Sequence, residues 1–284
     1  MKKLNVFATS AVALLLTACG GAASNDTTAP VDNTPAVEKT TISIAATAVP
    51  HYEILQEVKP ILEEMGYTLD IREVDDFVTP NLFLNDGDVD ANFFQHYPFL
   101  ANFNEVNEAT LTPVFAVHFE PLKIYAGRLD DLNDIPAGIT VALPDDPTNL
   151  ARGLQLLEAQ GLLTLRADAG LTATELDIDD NPFDISVVTA AGPALPALLP
   201  DVDFAVINGN FALQGGITDR GIDGSGEDVN SEAAETFANL IVVREEDKGA
   251  SWVTAIIEAM QDDAIKTFIL DSYEGRVEPI LMLP

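Results

Sequence analysis

Near the start of the folded part, the spacing of apolar residues changes from alternate positions to a helical stripe and back, and this change restricts the possible folds most strongly. Residues 41–48 (TISIAATA) alternate apolar and small or polar side chains, which predicts a β-strand. Residues 53–66 carry an apolar stripe that ends at Gly66, and residues 67–74 predict a second strand. Because a strand–helix–strand unit places its two strands side by side in parallel, the sequence predicts a parallel sheet.

The same alternation of strand and helix patterns recurs further along the chain. Strands are predicted over 138–144, 184–190, 203–209 and 239–245, and helices over 148–160, 194–200, 251–261 and 262–270. We interpret this as an α/β fold with two lobes, in which residues 41–126 with 240–284 form lobe 1 and residues 127–239 form lobe 2. Since ligands of open α/β sheets bind beyond the carboxyl ends of the strands, we expect a ligand cleft between the lobes.

The N-terminus has the pattern of an export signal. Two lysines precede an apolar stretch over residues 6–16, which has roughly half the length that a membrane-spanning helix needs. The residues LTAC, which end at Cys19, resemble a bacterial lipobox. This implies a signal peptide over residues 1–18 and a lipid on the Cys19 thiol; the alternative is an ordinary signal peptide with an incidental cysteine.

Residues 19–40 begin with the lipobox cysteine and are rich in Gly, Ser, Thr, Asn and Pro, without an apolar period. This composition predicts a flexible tether that begins at the lipidated cysteine. A terminus with several acyl chains anchors stably, whereas a single chain binds a membrane only marginally. We therefore expect a cell-membrane protein that is lipid-anchored and faces the extracytoplasmic side.

The charge and the residue composition exclude several classes of function. The 284 residues include 14 Lys and Arg against 46 Asp and Glu, a formal net charge of −32, which argues against a nucleic-acid partner. The single cysteine excludes an intrachain disulfide and a Cys-rich metal cage. The three histidines lack HExxH spacing, and the sequence has no GxSxG or phosphate-loop motif. We therefore expect no metal, no cofactor and no enzymatic activity.

Arg152 is one of the few basic residues in the middle of the chain, within the stretch PDDPTNLARG (144–153). Thr148 or Asn149 can cap the helix predicted to follow, and Arg152 then falls in about its first turn, where the helix dipole disfavours a cation. A bound carboxylate would offset this effect, because a guanidinium can hold it with two hydrogen bonds. The alternative is an ion pair between Arg152 and one of the two preceding aspartates.

Two other stretches are candidates for the walls of a pocket. Residues 90–100 (DANFFQHYPFL) concentrate aromatic side chains around His96, and aromatic faces suit an apolar or thioether ligand. The alternative is a core strand that runs into a helix, with a buried, hydrogen-bonded His96. Asn208 ends a predicted strand in AVINGN, and its amide can bind an ammonium or a carboxylate unless it merely forms a turn.

Together with the lipobox, an ordered set of stretches resembles the NlpA/MetQ-type methionine-binding lipoproteins, which are substrate-binding components of ABC importers. The stretches are PHYEILQEVKP, DDFVTPN, DANFFQHYPFL, HFEPLKIYAGR, VALPDDPTNLARGLQLLEAQGLL, AVINGNFALQGG and NLIVVRE. The resemblance covers about residues 41–275. It implies a two-lobed, periplasmic-binding-protein-like α/β fold that closes on a ligand between the lobes.

The resemblance also implies roles for individual residues. Arg152 is expected to hold the carboxylate of an amino-acid ligand, with Asn149 beside it. Asn208 and Asn239 are expected to bind the polar end of the same ligand. The residues expected to wall the side-chain pocket are Phe77, Phe94, His96 and Phe99.

Four positions refine this expectation. His118 and Glu120 lie in the matching H-x-E-P segment and are further candidates for contact with the ligand. Phe77 and Phe99 stand where the family often has tyrosine. A missing hydroxyl removes a hydrogen bond, and such a loss can change the preference of a site among amino acids.

The resemblance predicts a monomeric protein, anchored through Cys19, that captures L-methionine or a closely related amino acid and delivers it to an ABC importer permease. One alternative is a binding protein for a different small amino acid or a dipeptide. A second is a surface adhesin or sensor with the same fold, and a third is a membrane-anchored enzyme. Because one fold serves many functions, the binding site has to decide among them.

Overall fold

The computed structural model describes residues 39–273 and 275–284. The predicted signal peptide, the lipobox with Cys19 and most of the predicted tether lie outside the described residues. Residues 39–284 form one compact unit. Within the described part of the chain, no helix combines the length and the apolar character needed to cross a bilayer.

The described residues contain thirteen strands and nine α-helices. The strands are β1 (Thr41–Thr47), β2 (Thr68–Val74), β3 (Ala91–His96), β4 (Leu111–Phe119), β5 (Lys123–Ala126), β6 (Thr140–Pro144), β7 (Thr164–Leu165), β8 (Ile178–Asp180), β9 (Ser186–Ala190), β10 (Phe204–Ile207), β11 (Gly221–Gly226), β12 (Ala238–Arg244) and β13 (Glu278–Met282). The helices are α1 (Glu53–Glu64), α2 (Thr79–Asn85), α3 (Tyr97–Asn107), α4 (Pro147–Ala159), α5 (Leu195–Leu198), α6 (Gly209–Gln214), α7 (Glu232–Thr236), α8 (Ser251–Met260) and α9 (Asp263–Tyr273). A π-helical turn, Ala48–Tyr52, precedes α1.

The first sheet has six strands in the order β13-β4-β12-β3-β1-β2. Strand β1 lies parallel to β2 and β3, as the strand–helix–strand pattern predicts, whereas β12 runs antiparallel to β3 and β4. Helices α1, α8 and α9 pack against this sheet in one apolar core, in which Ile54, Phe115, Ile256 and Ile269 are fully buried. The last helices of the chain therefore share a core with the first ones.

The second sheet has five strands in the order β11-β5-β10-β6-β9. Strand β6 lies parallel to β9 and β10, while β5 runs antiparallel to β10 and β11. Helix α4 buries Ala151, Leu154 and Leu157 in the core that also contains Val141 and Val206. Helix α4 begins three residues after β6 ends, so its N-terminal turn lies near the carboxyl end of that strand.

The sheets divide the chain a few residues away from the predicted lobe boundaries. Strand β5 pairs in the second sheet, although lobe 1 is predicted to extend to residue 126. Strand β12 begins in the first sheet at Ala238, two residues before the predicted return to lobe 1 at residue 240. The apolar pattern of a short strand indicates that it is buried, but it does not indicate which neighbouring strand it pairs with.

Polar residues at the ends of strands from both sheets meet around one cavity. His96 ends β3, Glu120 follows β4 and Asn208 follows β10, and all three line the cavity. Asn239 lies near the beginning of β12, and the antiparallel register places it beside His96 on one strand and His118 on the other. The topology therefore brings residues that are distant in sequence to a single edge.

Candidate functional site

The cavity brings together all eight residues that the resemblance predicts as ligand-binding. It is lined by Phe77, Phe94, Gln95, His96, Phe99, Glu120, Asn149, Arg152, Asn208, Asn210 and Asn239. Glu120, a further candidate, is thus in the wall, whereas His118 is not among the lining residues and lies behind Glu120. The empty volume of the cavity, including the part open to solvent, is about 320 Å³.

Arg152 is buried beside the cavity, but its local setting differs from the sequence-based expectation. The N-cap of α4 is Asp146, whose carboxylate accepts a hydrogen bond from the backbone N–H of Asn149, so neither Thr148 nor Asn149 is the cap. Helix α4 begins at Pro147, which places Arg152 in its second turn rather than its first. The helix dipole acts mainly on the terminal turn, so it explains little of the position of Arg152.

The guanidinium of Arg152 is already engaged by a carboxylate, and the partner is Glu227. Nε donates to Glu227 Oε1 at 2.7 Å, and Nη2 donates to Glu227 Oε2. Nη2 also donates to the backbone carbonyl of Glu120 at 2.9 Å. Ion pairing with a preceding aspartate, the alternative raised from the sequence, is therefore wrong, and Glu227 occupies the fork that a ligand carboxylate was expected to use.

A chain of hydrogen bonds links three of the predicted polar residues. Asp146 accepts from Asn149 Nδ2 at 3.0 and 3.1 Å, which leaves Asn149 Oδ1 as an acceptor. That oxygen lies 3.1 Å from His96 Nε2 and accepts from Asn208 Nδ2 at 3.0 Å. Asn208 Oδ1 is buried and has no hydrogen-bond partner within residues 39–273 and 275–284. A ligand N–H would satisfy this oxygen.

Glu120 is the acidic group of the cavity wall. Its Oε1 accepts from His118 Nε2 at 2.8 Å, and its Oε2 accepts from the backbone N–H of Asn210 at 2.6 Å. Gly209 allows this approach, because a Cβ there would lie 3.2 Å from the Glu120 Cβ. Burial raises the pKa of Glu120. His51, the backbone N–H of Asn210 and Arg152 each act in the opposite direction and lower it. A ligand ammonium would offset this cost of burying the carboxylate.

The three histidines are buried and neutral at pH 7. Burial lowers the pKa of His51 to about 4, against the opposing charge of Glu120, and lowers that of His118 to about 3. Burial and the charge of Arg152 lower the pKa of His96 to about 3. His96 Nδ1 accepts from the backbone N–H of Phe99 at 3.2 Å, which assigns its proton to Nε2 and makes His96 a donor towards Asn149.

The aromatic wall joins side chains from both halves of the molecule. The Phe77 ring lies 5.8 Å from Phe94 and 6.0 Å from Phe99, and these two rings are 5.8 Å apart. Phe211 of α6 also contacts Phe77, with ring centroids 4.7 Å apart. Offset and edge-on rings of this kind give the cavity an apolar part of its lining, in contrast to the amides and the carboxylate that also line it.

One group of side chains in the described residues has the donors for a metal ion. The ligand atoms of His51, His118 and Glu120 all lie within 4.8 Å of one another. Each facing nitrogen already has a hydrogen-bond partner, since His118 Nε2 bonds Glu120 and His51 Nε2 lies 3.0 Å from Asn239 Oδ1. These hydrogen bonds account for the cluster, so we assign it no metal.

The sequence profile of the NlpA lipoprotein family matches residues 42–281. The chain belongs to this family. It is 35% identical over 247 residues to the methionine-binding lipoprotein MetQ of Bacillus subtilis, covering 85% of this chain and 89% of that protein. It is 33% identical over 246 residues to the membrane lipoprotein TpN32 of Treponema pallidum, covering 86% and 90%.

Solved structures place this NlpA-family chain among substrate-binding proteins. A nutrient-binding protein from Burkholderia cenocepacia, bound to methionine, superposes with a TM-score of 0.79 at 35% identity. The match covers 84% of this chain and 99% of that one. The α/β, periplasmic-binding-protein-like fold predicted from the sequence is therefore confirmed.

Several residues of the site in this NlpA-family chain were missed by the sequence analysis. Gln95 and Asn210 line the cavity, and each is a close neighbour in sequence of a predicted residue, which is a signal that could have been used. His51 contacts Asn239 from the turn before α1. Glu227 directly follows β11, and nothing in the local sequence marks it as the partner of Arg152.

Proposed function

We propose that this chain is a lipid-anchored solute-binding protein that captures L-methionine, or a closely related amino acid, and delivers it to an ABC importer permease. Its membership of the NlpA lipoprotein family supports the coarser statement, a substrate-binding role. The observation that carries the proposal is one cavity whose lining combines a carboxylate, a guanidinium and amides with phenylalanine rings.

The chemistry of the cavity suits each part of an amino acid with an apolar side chain. The α-ammonium would bond Glu120 and the unpartnered Asn208 Oδ1. The carboxylate would lie near Arg152, within reach of the asparagine amides. A thioether would lie against Phe77, Phe94 and Phe99, where a sulfur–aromatic contact contributes about 0.3–1.5 kcal/mol.

Ligand entry requires the cleft to open. His96, Asn149 and Arg152 line the cavity and are at most 5% exposed, so a ligand from solvent reaches them only when the cleft opens. His96 of β3 and Asn149 of α4 are hydrogen-bonded across the cleft, from elements that pack on different sheets. We propose that this contact breaks on opening and reforms on closure, so that closure completes the site around the ligand.

Anchoring and delivery rest on the sequence and on the relatives. The lipobox at Cys19 supports a lipid anchor on the extracytoplasmic side, and relatives such as TpN32 are named membrane lipoproteins. We propose that the chain is not an enzyme, because relatives such as MetQ of Bacillus subtilis are named methionine-binding lipoproteins and the sequence has no GxSxG or phosphate-loop motif. Replacing Cys19 with alanine should move the protein from the membrane fraction to the soluble fraction; unchanged fractionation would contradict the anchor.

Thermal unfolding of the purified chain tests the ligand assignment. The chain is first refolded from denaturant to remove bound ligand and is then scanned against the twenty amino acids, methionine analogues and dipeptides. A ligand at 100 times its Kd adds about 2.7 kcal/mol, which corresponds to a rise in Tm of roughly 5–10 °C for a domain of this size. A rise confined to methionine and close analogues supports the proposal.

Other outcomes point to the alternatives. A rise with another amino acid or a dipeptide keeps the binding role and reassigns the ligand, and Phe77 and Phe99 are then the first positions to test. No rise with any of these ligands would contradict the proposed function. In that case an adhesin, a sensor or an enzyme with the same fold becomes the better hypothesis, and turnover of an added metabolite would identify the enzyme.

A further inference from the structure

Glu120 carries the one carboxylate among the described residues that line the cavity. It is 5% exposed, and the nearby cation, Arg152, already holds the Glu227 carboxylate. A buried carboxylate tends to take up a proton, because burial disfavours its charged form, and a protonated carboxyl group binds an ammonium poorly. Capture of an α-ammonium therefore requires donors that keep Glu120 ionised before the ligand arrives.

Three N–H groups face the two oxygens of Glu120. His118 Nε2, from β4, lies 2.8 Å from Oε1, and the backbone N–H of Asn210 donates to Oε2 at 2.6 Å. His51 Nε2 lies 3.5 Å from Oε1 but is closer to Asn239 Oδ1, at 3.0 Å. His118 therefore makes the closest side-chain contact with the carboxylate. Since a carboxylate has about four acceptor positions, positions remain for a ligand ammonium.

The surroundings of His118 show which ring nitrogen carries its proton. Nδ1 is buried and has no hydrogen-bond partner within residues 39–273 and 275–284. The rings of His51 and Phe93 lie 4.9 and 5.4 Å from that of His118 and hold it in place. A proton on Nδ1 would be a buried donor without an acceptor, and such orphan donors are rarer than orphan acceptors. The proton therefore lies on Nε2, and His118 uses its one ring donor on Glu120.

His118 can influence a ligand only through Glu120. It is fully buried and is not among the residues that line the cavity. Burial lowers the pKa of His118 to about 3, so the ring remains a neutral donor at pH 7. Its contribution to binding is thus separate from any direct contact with the ligand.

The other titratable or charged groups near Glu120 keep one charge state over the pH range in which the protein is folded. These groups are His51, Arg152, Tyr125 and Tyr273. Burial lowers the pKa of His51 to about 4 and raises the pKa of both tyrosines. Between pH 5 and pH 8, a proton that is gained or lost at this place belongs to Glu120.

We propose that His118 is a positioning residue for ligand capture: by donating from Nε2, it holds the Glu120 carboxylate ionised in the cavity wall, where it receives the α-ammonium. The inference rests on the proposed function and deepens it. Protonation of Glu120 competes with the ligand, so the methionine Kd rises about tenfold for each pH unit below the pKa of Glu120. His118 determines the pH at which this rise begins.

The test measures the methionine Kd of the purified chain by calorimetry from pH 5 to pH 8, with tryptophan fluorescence as the check that the chain is folded. His118→Leu removes the hydrogen bond to Glu120. A hydrogen bond to a charged group corresponds to a pKa change of about one to two units. The rise in Kd should therefore begin about one to two pH units higher in His118→Leu than in the unmodified protein.

Three controls separate the positioning role from a structural one. His118→Gln keeps an amide that can donate to Glu120 and should follow the pH profile of the unmodified protein. Glu120→Gln removes the titrating group, so methionine should bind at least about tenfold more weakly and without this pH dependence. Ser43→Ala removes a hydroxyl that donates to Asp90 at 2.8 Å, away from the cavity lining, and should leave the profile unchanged.

The outcomes are separable. A loss of affinity in His118→Leu by the same factor at every pH, or an unchanged profile, would overturn the inference. If that variant does not fold, nitrogen-15 NMR of the imidazole rings decides, with His118→Gln identifying the signals of His118. A proton on Nε2 supports the inference, and a proton on Nδ1 overturns it. Failure of the unmodified protein to bind methionine would instead contradict the proposed function, while the proton on His118 could still be located.

Discussion

The three buried histidines predict that the folded state loses stability as the pH falls from 7 to 5. The folded-state pKa is about 4 for His51 and about 3 for His96 and His118, all below the ordinary histidine pKa of 6.5. Below pH 6.5 the unfolded chain therefore binds protons that the folded chain does not bind. The stability from these groups is fully present above pH 6.5 and is lost as the pH falls towards their folded pKa values.

The magnitude follows from the number of protons. Each histidine that is protonated only in the unfolded state lowers the free energy of unfolding by about 1.4 kcal/mol per pH unit. Three of them give about 4 kcal/mol per unit. Glu120 opposes this by at most one proton, because its raised pKa favours the folded state as the pH falls. A net loss of about 3 kcal/mol between pH 6 and pH 5 corresponds to a fall in Tm of roughly 6–12 °C.

The assay is urea unfolding at a series of pH values from 5 to 8, followed by the fluorescence of Trp252, the single tryptophan, which is 4% exposed. In the matched variant His118→Gln, the amide nitrogen can still donate to Glu120 but does not titrate. Its slope should be smaller by about 1.4 kcal/mol per pH unit. A free energy of unfolding that stays constant from pH 7 to pH 5, or an equal slope in the variant, would refute the reasoning.

Three further predictions concern the elements that hold the site. Arg152→Met leaves Glu227 buried without its counter-charge and should lower the free energy of unfolding, measured in urea, by about 3–5 kcal/mol. Arg152→Met combined with Glu227→Leu should recover most of this loss. Strictly additive effects of the two substitutions would contradict an energetic coupling between Arg152 and Glu227. Asp146→Ala removes the N-cap of α4 and should lower the free energy of unfolding by about 1 kcal/mol. It also frees the Asn149 amide, so methionine binding measured by calorimetry should weaken. Unchanged binding would contradict a role for the hydrogen bond between Asp146 and Asn149 in the site. Phe211→Ala removes a ring that is 2% exposed and packs on Phe77, and should lower the free energy of unfolding by about 3–5 kcal/mol; a loss below about 1 kcal/mol would show that the ring is not part of the core.

The sequence by itself determined the local elements and the class of fold. The apolar alternation of residues 41–48 and the stripe of 53–66 correspond to β1 and α1, and the pattern of 148–160 corresponds to α4. These predictions succeed because burial of one face imposes a period of two on a strand and 3.6 on a helix. The aromatic stretch around His96 proved to be both a core strand leading into a helix and a wall of the cavity.

The scarcity of basic residues distinguishes Arg152 in the sequence, and the structure places it in the cavity lining, but its partner was decided by the tertiary structure. Glu227 lies 75 positions away and reaches Arg152 because β11 pairs with β5 in the second sheet. The contact between Phe211 and Phe77 also joins residues that are far apart in the sequence. The same is true of His51 and the pair His118 and Glu120, which form one cluster.

Periodicity records that a face is buried, not what is packed against it. A helix or strand carries the signature of its own face in its own sequence, whereas an ion pair or a ring contact depends on two distant segments and on the register that joins them. In this chain, the local patterns therefore determined the elements, and the pairing of strands between residues 91 and 244 determined the site.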